Sequence, residues 1–296
     1  MKTRWAVMLL ALGCRSAFAH AGEPLEPHDL WTAWRFDPGV VIPLLLSAIL
    51  YARGTRQARG TRRWQIVFFW SGWAALAFAL VSPLHPLGEV LFSAHMIQHE
   101  VLMLIAAPLL VLSRPLPPFL WGLPFEWRRT AGRWAKAQPV QFIWVGITVP
   151  AAAWAIHGVT LWVWHAPALF QATLTNNWIH SAQHISFLGS ALLFWWSLFY
   201  ARGAHSYGAG VLYLFTTAVH TSVLGALLTF ARTVWYPAYQ ATAPVWGVSA
   251  LEDQQIGGLI MWVPGGLVYL AAALALFAAW LRESGVTAAG WRSYAD

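Results

Sequence analysis

His95-Met96-Ile97-Gln98-His99-Glu100 opens an apolar run that continues through Val101-Leu102-Met103-Leu104-Ile105-Ala106-Ala107-Pro108 to Leu112. A run of this length reads as a membrane-crossing helix, which needs about 20 predominantly apolar residues at roughly 1.5 Å of rise each. On such a helix His95 and His99 share one face, about 6 Å apart along the axis. The spacing recurs in His180-Ser181-Ala182-Gln183-His184, at the head of a second apolar run from Ile185 to Tyr200. A bilayer interior makes such polar side chains costly, so two pairs at matching positions point to function. Four imidazole nitrogens are placed to converge, and that spacing suits a metal ion.

The composition agrees with a membrane setting. The chain has 296 residues, of which 58% are hydrophobic and only 10% charged, with 21 tryptophans. Its formal charge of +7 would fit a nucleic-acid partner only if the basic residues formed a binding face. Lys2, Arg4, the apolar stretch from Trp5 to Leu12 and Ala17-Phe18-Ala19 predict a secretory leader over 1–19, leaving His20 first. Cys14 is the sole cysteine and lies inside that leader, so a metal site must use His, Met, carboxylate or backbone.

Working outward, Asp37 and Pro38 form a helix start before a short apolar stretch over 40–52. Further spans are expected at 64–81, 91–112, 140–161, 178–200, 208–230 and 256–280, which makes seven. Assigning loops alternately to the two sides places thirteen Lys and Arg on one side, from Arg53, Arg56, Arg59, Arg62 and Arg63 through Arg128, Arg129, Arg133 and Lys136 to Arg202, Arg282 and Arg292. Only Arg35 and Arg232 fall on the other. Because basic residues are retained in the cytoplasm, the expected fold is an all-α polytopic membrane protein. It is a seven-helix transmembrane bundle, N-terminus outside and C-terminus cytoplasmic. The expected divisions are an extracytoplasmic segment over 20–36, a membrane domain over 37–281 and a tail over 282–296. The basic excess lies on cytoplasmic loops, which removes the nucleic-acid reading.

In this topology both histidine-bearing spans run from outside inward, so His95, His99, His180 and His184 lie at one depth in the outer leaflet. His157, His165 and His85 reach the same side, His220 lies mid-membrane, and His205 is cytoplasmic. Met103 continues the stripe His95, His99, Met103 and adds a soft thioether, a combination that suits copper. The alternative for Met103 is core packing, and a lone intramembrane histidine such as His157 or His220 commonly bridges helices by hydrogen bonding. Glu252-Asp253-Gln254-Gln255 opens the last span at the histidine level. There Asp253 is a candidate ligand, a side chain that orients ligands, or an N-cap of its own helix. A free α-amine at His20, with its imidazole and that of His28, would chelate Cu(II). His20, Met103, His157, His165 and Asp253 are therefore secondary candidates beside the four histidines. Trp162, Trp164 and Trp178 read as interfacial anchors.

His95-Met96-Ile97-Gln98-His99, Trp164-His165-Ala166-Pro167, His180 and His184 before Phe194-Trp195-Trp196, and Asp253-Gln254-Gln255 with Met261-Trp262-Val263-Pro264-Gly265-Gly266 together resemble the polytopic CtaG family of cytochrome c oxidase assembly factors. The resemblance covers nearly the whole mature chain. It implies a multi-pass protein of the bacterial inner membrane, not an enzyme, that acts in lipid with cytochrome c oxidase subunits, copper delivery being the suggested task. The residues themselves leave two alternatives. A b-type haem could be ligated axially by histidines on facing helices, and a copper transporter would need a path through the inner half. A di-iron oxygenase is disfavoured, because the sequence has no adjacent His-His pair.

Overall fold

A computed structural model describes residues 24–58, 60–201 and 207–292, with side chains to Arg282. The expected leader, His20, Arg59, Arg202 and His205 lie outside the described residues. Among the described residues the regular structure is helical throughout, with no strand.

Asp37 accepts a hydrogen bond from the Gly39 amide, with Pro38 at the first helical position, and starts α1 (Pro38–Gln57). That is the expected cap. The helix continues beyond the apolar stretch to 20 residues, so the first span is not short. α2 (Arg63–Val81) returns and is followed by the short α3 (Leu84–Val90). α4 (Phe92–Leu112) is the central helix, with 56% of its span buried against 17% for α1 and α2. Its backbone widens into a π-helix over Val101–Ala106, just ahead of Pro108. Proline has no N–H to offer the carbonyl four residues back, and a locally widened turn is one way a helix absorbs that loss.

The next connection is itself helical. α5 (Leu116–Gly122) lies against α1, where Gly54 faces the Pro118 carbonyl and Gly122 faces that of Leu50 so closely that a Cβ at either would overlap it. α6 (Phe125–Lys136) carries Arg128, Arg129, Arg133 and Lys136 together with exposed Phe125, Trp127 and Trp134. The expected straight span over 140–161 is instead two helices, α7 (Gln138–Thr148) and α8 (Pro150–His165), bent by 72°. Pro150 is the cause: it forces Val149 out of the helical region, to φ −58° and ψ 133°, and cannot continue the ladder. α9 (Pro167–Thr175) leads to α10 (Asn177–Tyr200), capped by Asn176, whose side chain accepts from the Trp178 and Ile179 amides. α11 (Tyr207–Thr229) and α12 (Ala250–Arg292) form the most extensive helix pair.

Five helices, α1, α2, α4, α11 and α12, are long and apolar enough to cross a membrane, and the bent α7–α8 pair makes six. α10 has the length, at 24 residues, but its first two turns carry His180, Ser181, Gln183 and His184. Two apolar clusters hold the bundle together. One joins Phe92, Met96, Phe170, Tyr236 and Tyr239. The other joins Met103, Leu161, Phe187, Phe194, Trp195 and Tyr269.

Candidate metal centre

The two histidine pairs meet where these clusters adjoin. α4 presents His95 and His99 and α10 presents His180 and His184, all four buried, with His95 at 0% and His99 at 2% exposure. Ring centroids lie 4.4 Å apart within each pair. Between the pairs they are 5.4 Å from His95 to His180 and 5.5 Å from His99 to His184. His95 packs on Phe170 of the first cluster and His99 on Phe187 of the second.

A fifth histidine joins them. His85, on α3, stacks on His180 at 5.2 Å and meets His184 edge-on at 5.7 Å. The donor atoms then fall into two overlapping sets, His95 with His99 and His184, and His85 with His180 and His184, each with its nitrogens within 4.8 Å of one another. The sequence reading placed His85 in the loop before α4 without assigning it to the site. Its signal is the short stretch between α2 and α4, which leaves a residue there little choice but to sit over the head of α4.

The nitrogens are largely uncommitted. Both ring nitrogens of His99 and Nε2 of His180 and His184 are buried with no hydrogen-bond partner. Buried polar atoms are nearly always paired, so this concentration is unusual for a site with no ligand of its own. His95 Nδ1 faces the Gly88 carbonyl at 3.2 Å, which fixes its proton there, and its Nε2 meets the Gln183 side chain at 3.2 Å, a contact it must give up to bind an ion. The Gly88 oxygen also accepts from the Tyr239 hydroxyl at 2.9 Å. A Cβ at this position would come within 3.1 Å of His95 Cα, so glycine lets α3 lie close against α4. His85 is engaged differently. The Gln98 amide donates to the Ala79 carbonyl at 2.7 Å and lies 2.9 Å from His85 Nδ1. Burial, with the Arg35 and His95 charges adding, holds the His85 pKa down to about 4, so the ring is neutral, the form that ligates metals.

An ion pair lies near His85. Arg35 forms a two-pronged bridge to Glu89 at 2.6 and 2.7 Å, and its backbone amide donates to the Val81 carbonyl. Burial raises the Glu89 pKa and the neighbouring Arg35 opposes that shift. The N-terminal segment thus packs at the histidine end of the bundle. At the opposite end, Arg114 lies over Tyr200 at 4.8 Å and Arg128 over Trp121 at 4.3 Å.

The secondary candidates separate. His165 is adjacent to the cluster, 6.5 Å from His99 by ring centroids. Its Nδ1 donates to the Leu161 carbonyl at 2.7 Å, leaving a buried, unpartnered Nε2. His157 is deeper, bonded through Nδ1 to Ser190 at 3.1 Å and packed on Phe194. Met103 sits in the apolar cluster with Leu161 and Phe187 and contributes its carbonyl to the Trp195 indole at 2.9 Å. His28 pairs with Glu26 and Asp29. Trp164 donates to Ser186 across to α10 and ties the two helices, and Trp178 is 86% exposed.

Asp253 corrects an expectation. It does not cap its own helix, whose start is closed by Ser249 and Glu252, each accepting from the other's amide. Its carboxylate instead accepts from the Phe92 amide at 2.6 Å, from the Ser93 amide at 3.1 Å and from the Ser93 hydroxyl. It caps α4 from across the bundle, three residues before His95.

Residues 49–283 match the cytochrome c oxidase caa3 assembly factor family (Caa3_CtaG). Uncharacterized proteins of Mycobacterium bovis and Mycobacterium tuberculosis are each 27% identical over 276 residues, covering 90% of this chain and 42% of their own length. One from Mycobacterium leprae is 27% identical over 278 residues, covering 88% of this chain and 41% of its own. The chain thus spans about two fifths of the curated relatives it matches. No solved structure matches. With the family match covering most of its length, the chain belongs to the cytochrome c oxidase caa3 assembly factor family.

Proposed function

We propose that this protein carries copper as cargo in its histidine cluster and hands it to cytochrome c oxidase subunits in the same membrane. In this reading α10 and the α7–α8 pair complete seven crossings, with the histidine end outside and the arginine-rich end cytoplasmic. The segregation of Arg35 and the histidines from Arg114 and Arg128 supports that orientation. The observation that carries the metal assignment is the concentration of buried, unpartnered imidazole nitrogens in two three-histidine sets. Imidazole suits copper in either oxidation state, and other first-row metals compete for the same donors. A haem is disfavoured by the packing: a porphyrin needs an open plane between its axial ligands, and here rings stack on one another and on Phe170 and Phe187.

The test is metal analysis and an optical spectrum of protein purified without a polyhistidine tag. Copper at about one equivalent, lost in His184→Ala while the variant stays in the membrane, is the expected result. A haem Soret band, or a wild-type protein that takes up no copper, would overturn the reading.

A further inference from the structure

The two donor sets are unequal in access and in readiness. His95 and His99 are buried, whereas His85 is partly exposed on short α3, near the Arg35–Glu89 bridge. In the sealed set His99 has both nitrogens free, while His95 is held at Nδ1 by the Gly88 carbonyl and at Nε2 by the Gln183 side chain at 3.2 Å. In the outer set His85 already receives the Gln98 amide at Nδ1. To ligate a metal it must give up that hydrogen bond, or move its ring proton onto Nδ1, which also ends the bond. Each set thus has one ligand tied to a glutamine, His95 to Gln183 and His85 to Gln98, and the sets differ in access: the outer one is partly open at His85 and so exchanges its ion more readily. Both need His184, and a neutral imidazole has a single nitrogen lone pair and so serves one ion at a time.

We propose that the cluster is a two-position relay, in which one copper ion moves between a sealed position held by His95, His99 and His184 and an outer position held by His85, His180 and His184. This rests on the metal reading above. His184 stays bound throughout. The bonds to His95 and His99 break as those to His85 and His180 form, with no change in oxidation state. The ion is never stripped of all its nitrogens in a low-dielectric interior, where a bare charge is most costly. Exchange with solution or with a client passes through the outer position, because that set alone has a ligand near the surface.

The experiment uses the full chain in detergent, loaded with Cu(I) under anaerobic conditions, with bathocuproine disulfonate as the competing chelator. Equivalents bound and release rate are both read. His85→Ala should still bind one ion, with wild-type or greater retention, but exchange it about tenfold or more slowly. His99→Ala should bind weakly and release quickly, and His184→Ala should bind none. His85→Gln gives the same readout if the alanine variant fails to accumulate. Two ions per wild-type chain would overturn the exclusive relay. So would equal losses of affinity in His85→Ala and His99→Ala, which describe a single site, or wild-type release from His85→Ala. A wild-type chain that binds no copper defeats the underlying metal reading instead.

Discussion

Asp253 offers the sharpest test of how the site is built, because it acts on the histidines only through backbone. α4 has no cap of its own: Leu91 precedes it in an extended conformation, and no side chain nearby in sequence reaches the free amides of the first turn. Asp253 supplies the acceptor from α12. In Asp253→Ala the Phe92 amide, on a residue 1% exposed, is left without a partner, which costs about 1–3 kcal/mol. The Ser93 amide and hydroxyl are nearer solvent and recover part of their bonding, adding about 1 kcal/mol. A total of roughly 3 kcal/mol is lost from the turn that carries His95. To the extent that this turn frays in the metal-free variant and must re-form on binding, the loss lowers copper affinity by up to about two decades at 1.4 kcal/mol per decade. Asp253→Asn keeps one acceptor oxygen but turns an NH2 towards a donor, so it should fall between. The assays are chelator competition for Cu(I) and thermal unfolding of the metal-free protein, and both should rank wild type above Asn above Ala. If Asp253→Ala binds copper within about twofold of wild type and unfolds at the same temperature, the trans-cap has no energetic role. A loss of affinity equal in both variants with no change in metal-free stability would mark Asp253 as a direct ligand.

Gly258→Leu should prevent α11 and α12 from closing, since a Cβ there comes within 2.6 Å of the Thr229 amide and 2.7 Å of the Gly225 carbonyl. The expected result is a loss of about 1–3 kcal/mol or more in unfolding, and wild-type stability would show that the pair does not pack this way. A cytoplasm-dependent reporter fused after Trp291 should be active and a periplasm-dependent one silent; the reverse would invert the proposed orientation. The metal-free protein should lose stability as pH falls below about 6.5, because the unfolded chain takes up a proton that folded His85, with its pKa held to about 4, refuses. The slope from His85 alone approaches about 1.4 kcal/mol per pH unit, and unfolding that is flat between pH 7 and 5 would contradict it.

Much of this architecture is legible in the sequence because the bilayer simplifies the code. Apolar runs give helices, the Asp37-Pro38 pair gives the start of α1, and i, i+4 spacing brings His95 to His99 and His180 to His184. What escapes is whatever depends on a break in periodicity or on a partner far along the chain. The apolar run over 140–161 reads as one span because composition passes through Pro150 unbroken, whereas Pro150 bends α7 and α8 by 72° and His165 ends beside the cluster. The π-turn after Glu100 shifts Met103 from the histidine stripe into the packing beneath it. Asp253 stood at the right depth for the site, but its partners are Phe92 and Ser93, 161 and 160 residues away. His85 lies outside any helical repeat with the other histidines and joins them only because α3 folds over the head of α4.

These long-range ties bear on how a carrier can both hold and release its cargo. Each buried, unpartnered imidazole costs the metal-free fold about 1–3 kcal/mol, and binding an ion removes that cost. A site assembled only when the metal arrives would spend part of its binding energy on folding, and releasing the ion would unfold it. Here the rings are positioned without metal, by the Asp253 cap on α4, the Asn176 cap on α10 and the Gly88 carbonyl on His95. None of these ties uses a nitrogen that faces the ion. Strengthening or loosening them changes affinity without changing the ligand set, which is why the Asp253 variants should move copper binding in steps while the donors stay histidine.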